Sequence, residues 1–156
     1  MKNASSEKPL FFNTQIGDND LIGNKFNGHD LHIYLREQNI YSDHLVLNKQ
    51  SNDPHTYPYP YPFSNKFDIL RNRSFLKSDI LHLHLIHNNV IDISLLPIIT
   101  KLKPTVWTVH DPWALSGHCI HHFDCEKWKT GCGDCPYPDK PFAINFDDTA
   151  LQFELK

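Results

Sequence analysis

The chain has 156 residues, a formal net charge of −3, 40% hydrophobic residues and 12% aromatic residues. This composition is typical of a globular protein with its own core rather than a disordered chain, and the weak negative charge gives no electrostatic reason to expect nucleic acid. No apolar run is long enough for a signal peptide or a bilayer span, so we expect a cytoplasmic protein.

The first predicted elements are a strand, a turn and a helix. Residues 10–12 form a short apolar run, and residues 13–24 form a predicted loop that carries Gly17 and Gly23. A helical pattern follows, with Phe26, Tyr34 and two leucines on roughly one side. This order is the opening of a βα unit. Residues 1–8 are expected to be a flexible N-terminus.

The next segment combines a strand with a long connection. Residues 43–48 read as a second strand, and residues 49–78 are polar and proline-rich, including "YPYPYPF" at residues 57–63. Alternating prolines oppose a regular helix or a central strand, so an extended connector is predicted. We expect its tyrosines to pack on the surface, and contact with an acceptor is the alternative.

Residues 80–110 give the clearest architecture. The sequence predicts a strand at 80–85, an apolar helix at 89–102 and a strand at 105–110. The helix is expected to be kinked or restarted near Pro97. This order predicts a βαβ crossover with parallel, buried strands. A last helix, capped by Asp147 or Asp148, stops mid-pattern at Lys156, so the chain is expected to be cut. The predicted fold class is α/β: a Rossmann-like parallel sheet flanked by helices, within a domain spanning residues 9–156.

Polar residues follow the predicted strands. In open parallel sheets ligands bind beyond the carboxyl ends of the strands, which here lead into residues 13–24, 84–89 and 110–116. The side chains expected at this edge are His84, His87, Asn88, His110 and Asp111.

The histidines differ in their expected roles. Period-two alternation puts His82 and His84 on the face opposite the strand's leucines, and His82 is expected to be a core histidine. A neutral His110 can hydrogen-bond a hydroxyl or polarise a reacting group. The loop with Gly17 and Gly23 can let backbone amides approach a phosphate, although it lacks the G-x-G-x-x-G spacing.

All four cysteines lie in a predicted cysteine-rich loop at residues 117–136: Cys119, Cys125, Cys132 and Cys135. Four thiols with a terminal C-x-x-C fit a structural zinc site, in which His118, His121 or His122 can replace one ligand. A thioredoxin-type redox motif, two disulfides and four free thiols remain as alternatives. A zinc deaminase is disfavoured, because its proline precedes the C-x-x-C and its His-x-Glu has no counterpart here.

The stretch "TVWTVHDPWALSGHCIHHFDCEKWKTGCGDCP" resembles the N-terminal domain of retaining glycosyltransferases with a GT-B fold. The similar family stretches are "W-T-x-H-D-x-W-x-x-S/T-G-x-C" and "C-x-x-W-x-x-G-C-x-x-C-P", typical of family-four-like enzymes of exopolysaccharide and colanic acid biosynthesis. The segments "DILHLHLIHN" and "GHDLHIYLRE" also look like that group. The resemblance covers residues 10–156 and is specific at residues 106–136.

The resemblance implies an enzyme with a cleft between two Rossmann-like halves, of which the first holds the acceptor and the second the nucleotide-sugar donor. His110 matches the family histidine that faces the transferred sugar, and we group Asp111 with it as catalytic. Gly17 and Gly23 occupy the place of the family's glycine-rich loop but lack its paired glycines. Trp113 is the better candidate for sugar contact, and Trp107 is expected in the core.

The family's C-terminal domain, with its E-x7-E motif, has no counterpart in these residues. The chain is therefore expected to be inactive alone, needing a separate C-terminal half, and to act on a polysaccharide or lipid-linked acceptor. The resemblance implies no catalytic metal, so any zinc would be structural. Contact with the inner membrane face is an open alternative. The rival hypothesis is a non-catalytic, metal-stabilised α/β module that binds carbohydrate or protein.

Overall fold

We describe the fold from a computed structural model of the chain, for residues 11–21, 28–59, 68–87, 90–140 and 143–156. The chain divides into two compact units, of which the first ends at Thr108 and the second runs from Val109 to Lys156. Each unit is described by itself.

The first unit is built on a five-stranded sheet in which every pairing is parallel, as predicted. The strand order is β3-β2-β1-β4-β5. The strands are β1 (Phe12–Asn19), β2 (Tyr41–Asn48), β3 (Thr56–Pro58), β4 (Ile80–Leu83) and β5 (Thr105–Trp107). Helices connect the strands: α1 (Asp30–Glu37), α2 (Asp68–Arg71), α3 (Arg73–Lys77) and α4 (Leu96–Leu102). A Rossmann-like α/β arrangement is thus confirmed.

One face of the sheet is apolar. Ile16, Leu45 and Leu83 are in register on neighbouring strands and are almost completely buried. The hydroxyl of Thr14 donates to the carbonyl of Ser74 over 3.3 Å, so α3 lies against this face. Burying such side chains contributes about 1.5–3 kcal/mol each to the stability of the unit.

The βαβ crossover forms as predicted, with local differences. A 3-10 turn at Ile93–Leu95 leads into α4, whose first turn contains Pro97, so the helix is restarted there. Strand β5 is shorter than residues 105–110, and its place at the sheet edge leaves Val106 47% exposed. The prediction of a buried strand is therefore wrong for β5, because a sheet edge has a neighbour on one side only.

Strand β1 is longer than predicted. Residues 13–19 belong to the strand rather than to a loop, and Gly17 is paired with Val46 of β2. Because β1 lies between β2 and β4, backbone pairing on both sides outweighs the low strand propensity of its polar residues. Gly23 lies outside the described residues.

The proline-rich connection is not wholly extended. It includes the short strand β3, in which Pro58 lies at the sheet edge where a missing backbone N–H is tolerated, and the helices α2 and α3. Within this segment residues 60–67 lie outside the described part.

The second unit has little regular structure. It contains 3-10 turns at Pro112–Leu115 and Lys127–Lys129 and one helix, α5 (Thr149–Leu155). Of the two predicted caps, Asp147 accepts a hydrogen bond from the backbone N–H of Thr149 over 3.0 Å, whereas the side chain of Asp148 makes no capping bond. None of the helices among the described residues is long and apolar enough to cross a membrane.

Candidate functional site

His84 lies just beyond the carboxyl end of β4, and it is buried rather than open to solvent. Its Nε2 lies 2.6 Å from Oε1 of Gln15 in β1, so the imidazole donates to the amide oxygen. The Gln15 amide group in turn donates to Oδ1 of Asn13 over 2.5 Å. The indole of Trp107 donates to the His84 carbonyl over 3.0 Å. These bonds fix the orientation of the imidazole, and its predicted contact with substrate stays a prediction.

A row of polar side chains crosses the sheet on the face opposite the apolar one. Gln15 is in register with His44 on one side and with His82 on the other. The rings of His82 and His84 lie 4.2 Å apart, and Nε2 of His82 is 2.7 Å from the hydroxyl of Thr108. Both faces of a parallel sheet are usually apolar, so this row is an unusual feature of the unit.

Helix α1 covers this face with a histidine rather than with a leucine or tyrosine. His32 is completely buried, and its Nε2 and Nδ1 lie 3.1 Å from Asp53 Oδ2 and 2.9 Å from Ser42 Oγ. A carboxylate only accepts hydrogen bonds, so Nε2 donates and Nδ1 accepts from Ser42. Burial lowers the pKa of His32 despite the nearby Asp53 carboxylate. Tyr34, expected on the buried side, is 58% exposed.

His44 is the most isolated imidazole in the row. It is completely buried, and within the described ranges neither of its ring nitrogens has a hydrogen-bond partner. The rings of His29 and His32 lie 5.9 and 5.8 Å from its ring. Burial, reinforced by these two neighbours, lowers the pKa of His44 to about 3. The ring is therefore neutral at physiological pH and can act only as a neutral donor or acceptor.

Gly28 lies in close contact with the rings of His84 and His44. Its φ is 103°, and a Cβ built on it would lie 3.0 Å from Cδ2 of His84 and 3.1 Å from Nε2 of His44. The absence of a side chain therefore lets the backbone before α1 pass directly over both rings. We use the name histidine cluster for the residues gathered here: His29, His32, His44, His82 and His84.

Two further predicted residues follow β4. His87 is buried, with 9% of its surface exposed. Asn88 lies outside the described residues. Two of the side chains predicted at this edge therefore lie in the first unit: His84 belongs to the histidine cluster, and His87 is buried after β4.

His110, Asp111 and Trp113 belong to the second unit. His110 lies three residues beyond the end of β5 and is partly buried, and this burial lowers its pKa despite the neighbouring Asp111 carboxylate. Asp111 Oδ1 accepts from the backbone N–H of Trp113 over 2.9 Å, which starts the 3-10 turn at Pro112–Leu115. The arrangement presents a neutral imidazole at the start of a fixed turn, as hydroxyl recognition requires.

The Trp113 ring is already covered on one side. Nζ of Lys156 lies 3.5 Å from the ring centroid and donates to the carbonyls of Trp113 and Ser116 over 2.8 and 2.9 Å. Burial lowers the pKa of this ammonium group to about 8. A sugar that stacks on Trp113 must therefore use the other face of the indole.

The four cysteines are free and line one cavity of about 20 Å³, together with His118 and Lys127. Burial, together with the nearby Cys135, Cys125 and Cys132 thiols, raises the pKa of Cys119 to about 11. As the described side chains stand, no three of His, Cys, Asp or Glu are arranged to hold a metal ion. Neither His121 nor His122 lines the cavity.

Sequence reasoning missed the part of the histidine cluster that precedes β4. His29 and His32 are three residues apart, the spacing of side chains on one face of a helix. His44 lies on the same face of the sheet as Gln15, with which it is in register. These two signals were present in the sequence, but joining them requires knowing that β2 and β4 both flank β1.

Comparison with known proteins gives one relevant similarity. The chain is 38% identical over 64 residues to a protein of Escherichia coli (strain K12) that carries the name colanic acid biosynthesis glycosyl transferase WcaC. The match covers 36% of this chain and 16% of the relative's length. No protein-family model matches the chain, and no solved structure matches it. The similarity supports a glycosyltransferase-like relationship.

Proposed function

We propose that this chain forms the acceptor-side, N-terminal part of a glycosyltransferase of the GT-B type. The enzyme would transfer a sugar from a nucleotide-sugar to a polysaccharide or lipid-linked acceptor. The observation that carries the proposal is the similarity to the E. coli glycosyl transferase, and the Rossmann-like parallel sheet of the first unit supports it.

The roles of individual residues follow from their chemistry. His110 is neutral at physiological pH because burial lowers its pKa, so it can accept a hydrogen bond from a sugar hydroxyl or donate one to it. Asp111 accepts a hydrogen bond from the backbone N–H of Trp113, and this bond supports a role in positioning the turn beside the proposed contact with a hydroxyl. The indole of Trp113, which Lys156 contacts on one face, is the candidate for packing against a sugar ring.

The donor would be held mainly by another domain. Stabilisation of a departing diphosphate calls for cations, backbone N–H groups or a metal ion. Gly17, predicted to help here, lies in β1 and pairs with Val46 of β2 instead of belonging to a loop. We therefore place nucleotide-sugar binding outside the described part of this chain, with a domain that follows it or associates with it.

A glycosyl-transfer assay on the native polypeptide that contains these residues tests the proposal. The probes are nucleotide-sugars with a radiolabelled sugar and a membrane fraction that contains lipid-linked saccharides. We expect labelled lipid-linked product, a loss of about 100-fold or more in kcat for His110→Ala, and little change for His121→Ala, whose side chain is exposed. Saccharide binding without transfer would favour a non-catalytic binding module instead.

A further inference from the structure

The second unit folds without an apolar core of its own among its described residues. The one apolar side chain that is fully buried there is Cys119. Large apolar side chains in the same unit stay exposed: Val109, Leu115, Phe123, Phe146, Leu151 and Leu155. Chain segments of this size without a core usually depend on disulfides or a bound metal. The unit therefore needs a cross-link that hydrophobic burial does not supply.

The four free thiols lie together at one place in the unit. Cys119, Cys125 and the Cys132–Cys135 pair come from three separate stretches of the unit, and all four line the same small cavity. A cavity of about 20 Å³ is close to the minimum that holds one water molecule, so it suits a single ion rather than an organic ligand. The Cys119 and Cys135 thiols are already joined by a hydrogen bond.

The backbone around the C-x-x-C segment turns tightly and contacts one of its sulfurs. Gly133 and Asp134 both have positive φ, at 124° and 47°, which produces a tight turn between the two cysteines. The backbone N–H of Gly117 donates to Sγ of Cys132 over 3.2 Å, a bond that is stronger when the sulfur carries charge.

Lys127, a cation beside the thiols, is held in place by the same turn. Nζ of Lys127 donates to the carbonyl of Gly133 over 3.0 Å, and its side chain lines the cavity. Four thiolates around a divalent ion carry a net charge of −2, and the ammonium group of Lys127 partly compensates it.

We propose that Cys119, Cys125, Cys132 and Cys135 bind one Zn²⁺ tetrahedrally, and that this ion holds the second unit together. The free thiols surround the cavity without yet converging on one point, so binding requires the side chains to close onto the ion. Zinc uses all four sulfurs at one centre and prefers tetrahedral thiolate ligation. The site is structural, because four protein ligands leave no open position for a substrate.

Metal analysis of the purified chain tests this proposal. The protein is expressed in zinc-supplemented medium, purified with a reducing agent and without chelator, and analysed by elemental mass spectrometry and by alkylation of thiols. We expect one zinc per chain, protection of all four cysteines from alkylation, and loss of both after treatment with a strong chelator. Replacement of zinc by Co²⁺ should give the visible absorption of a tetrahedral thiolate complex.

Variants locate the ligands. Cys125→Ser and Cys135→Ser should each lower the zinc affinity by about tenfold or more. His121→Ala should keep one zinc per chain, because His121 lies in the same loop but does not line the cavity. If a cysteine variant fails to fold, the Co²⁺ spectrum of the unchanged chain tests the ligand set, because tetrahedral thiolate ligation gives a characteristic visible absorption. Metal-free protein with rapidly alkylated thiols would overturn the proposal. A mass of the purified chain that is lower by the hydrogens lost on forming two disulfides would overturn it as well.

Discussion

Gln15 holds His84 in place: the imidazole Nε2 of His84 donates to the Gln15 side-chain oxygen over 2.6 Å, and both residues are buried. The bond joins the middle strand of the sheet to the carboxyl end of β4. The orientation of a histidine at the predicted substrate edge therefore depends on a residue in the sheet interior.

Removing the Gln15 side-chain oxygen should lower the stability of the protein. Gln15→Leu removes the side-chain oxygen that accepts from the buried His84 Nε2–H, and we expect the free energy of unfolding to fall by about 1–3 kcal/mol. Urea denaturation followed by circular dichroism measures the change. The matched control is Gln50→Leu, because the Gln50 side chain is exposed and should be replaceable within about 0.5 kcal/mol. Equal stability of the two variants would show that the bond contributes little.

Gly28 should tolerate no side chain. Gly28→Ala combines a φ of 103° with a Cβ placed 3.0 Å from His84 and 3.1 Å from His44, so we expect a loss of several kcal/mol, above the ~1–3 kcal/mol of backbone strain alone. Gly131→Ala is the control, because Gly131 has a φ of 137° but open space around its Cβ. Thermal denaturation of both variants separates the two effects, because both carry the backbone strain and only the Gly28 variant also has the close contact with the histidine rings. A Gly28 variant no less stable than the Gly131 variant would contradict the close packing.

The neutral His44 predicts a pH-dependent stability. Its pKa of about 3 in the folded state lies below the unfolded value of 6.5, so the unfolded state binds more protons between these two values. Stability is thus fully present above pH 6.5 and is lost as the pH falls toward 3, by about 2 kcal/mol at pH 5 for this group. His32, whose pKa is also lowered, adds to the same trend.

The groups that face His44 also titrate. Asp20 and Asp53 are carboxylates whose pKa values lie below 3.8, because hydrogen bonds to them outweigh the effect of burial. Their protonation affects stability at lower pH than the histidines do. His44→Leu should therefore flatten the curve of unfolding free energy between pH 6.5 and 4, and His121→Ala should not. An unchanged slope in His44→Leu would mean that His44 is not the group responsible.

Much of the first unit could be predicted from local patterns. The alternation of leucine and histidine at residues 80–84 indicated which side chains share a face, and Pro97 indicated where the helix restarts, because both signals act within a few residues. The parallel crossover followed from the strand-helix-strand order.

The remaining features depend on contacts between distant segments. Residues 13–19 contain two asparagines, a glycine and an aspartate, and their strand is held by pairing with β2 along its length and with β4 at residues 13–16. The exposed Val106 follows from the edge position of β5, which residues 105–110 alone do not reveal. The apolar pattern of α1 pointed to Tyr34, whereas the buried residue is His32, because the sheet face it covers is polar.

We propose that this chain binds the saccharide acceptor and leaves the nucleotide to another domain. Chemical-shift titration of the isotopically labelled chain tests this claim most directly, with oligosaccharides from bacterial exopolysaccharides and, separately, with uridine diphosphate. We predict shifts at His110, Asp111 and Trp113 with at least one oligosaccharide and none with the nucleotide. Shifts with the nucleotide alone, or with neither probe, would contradict the account.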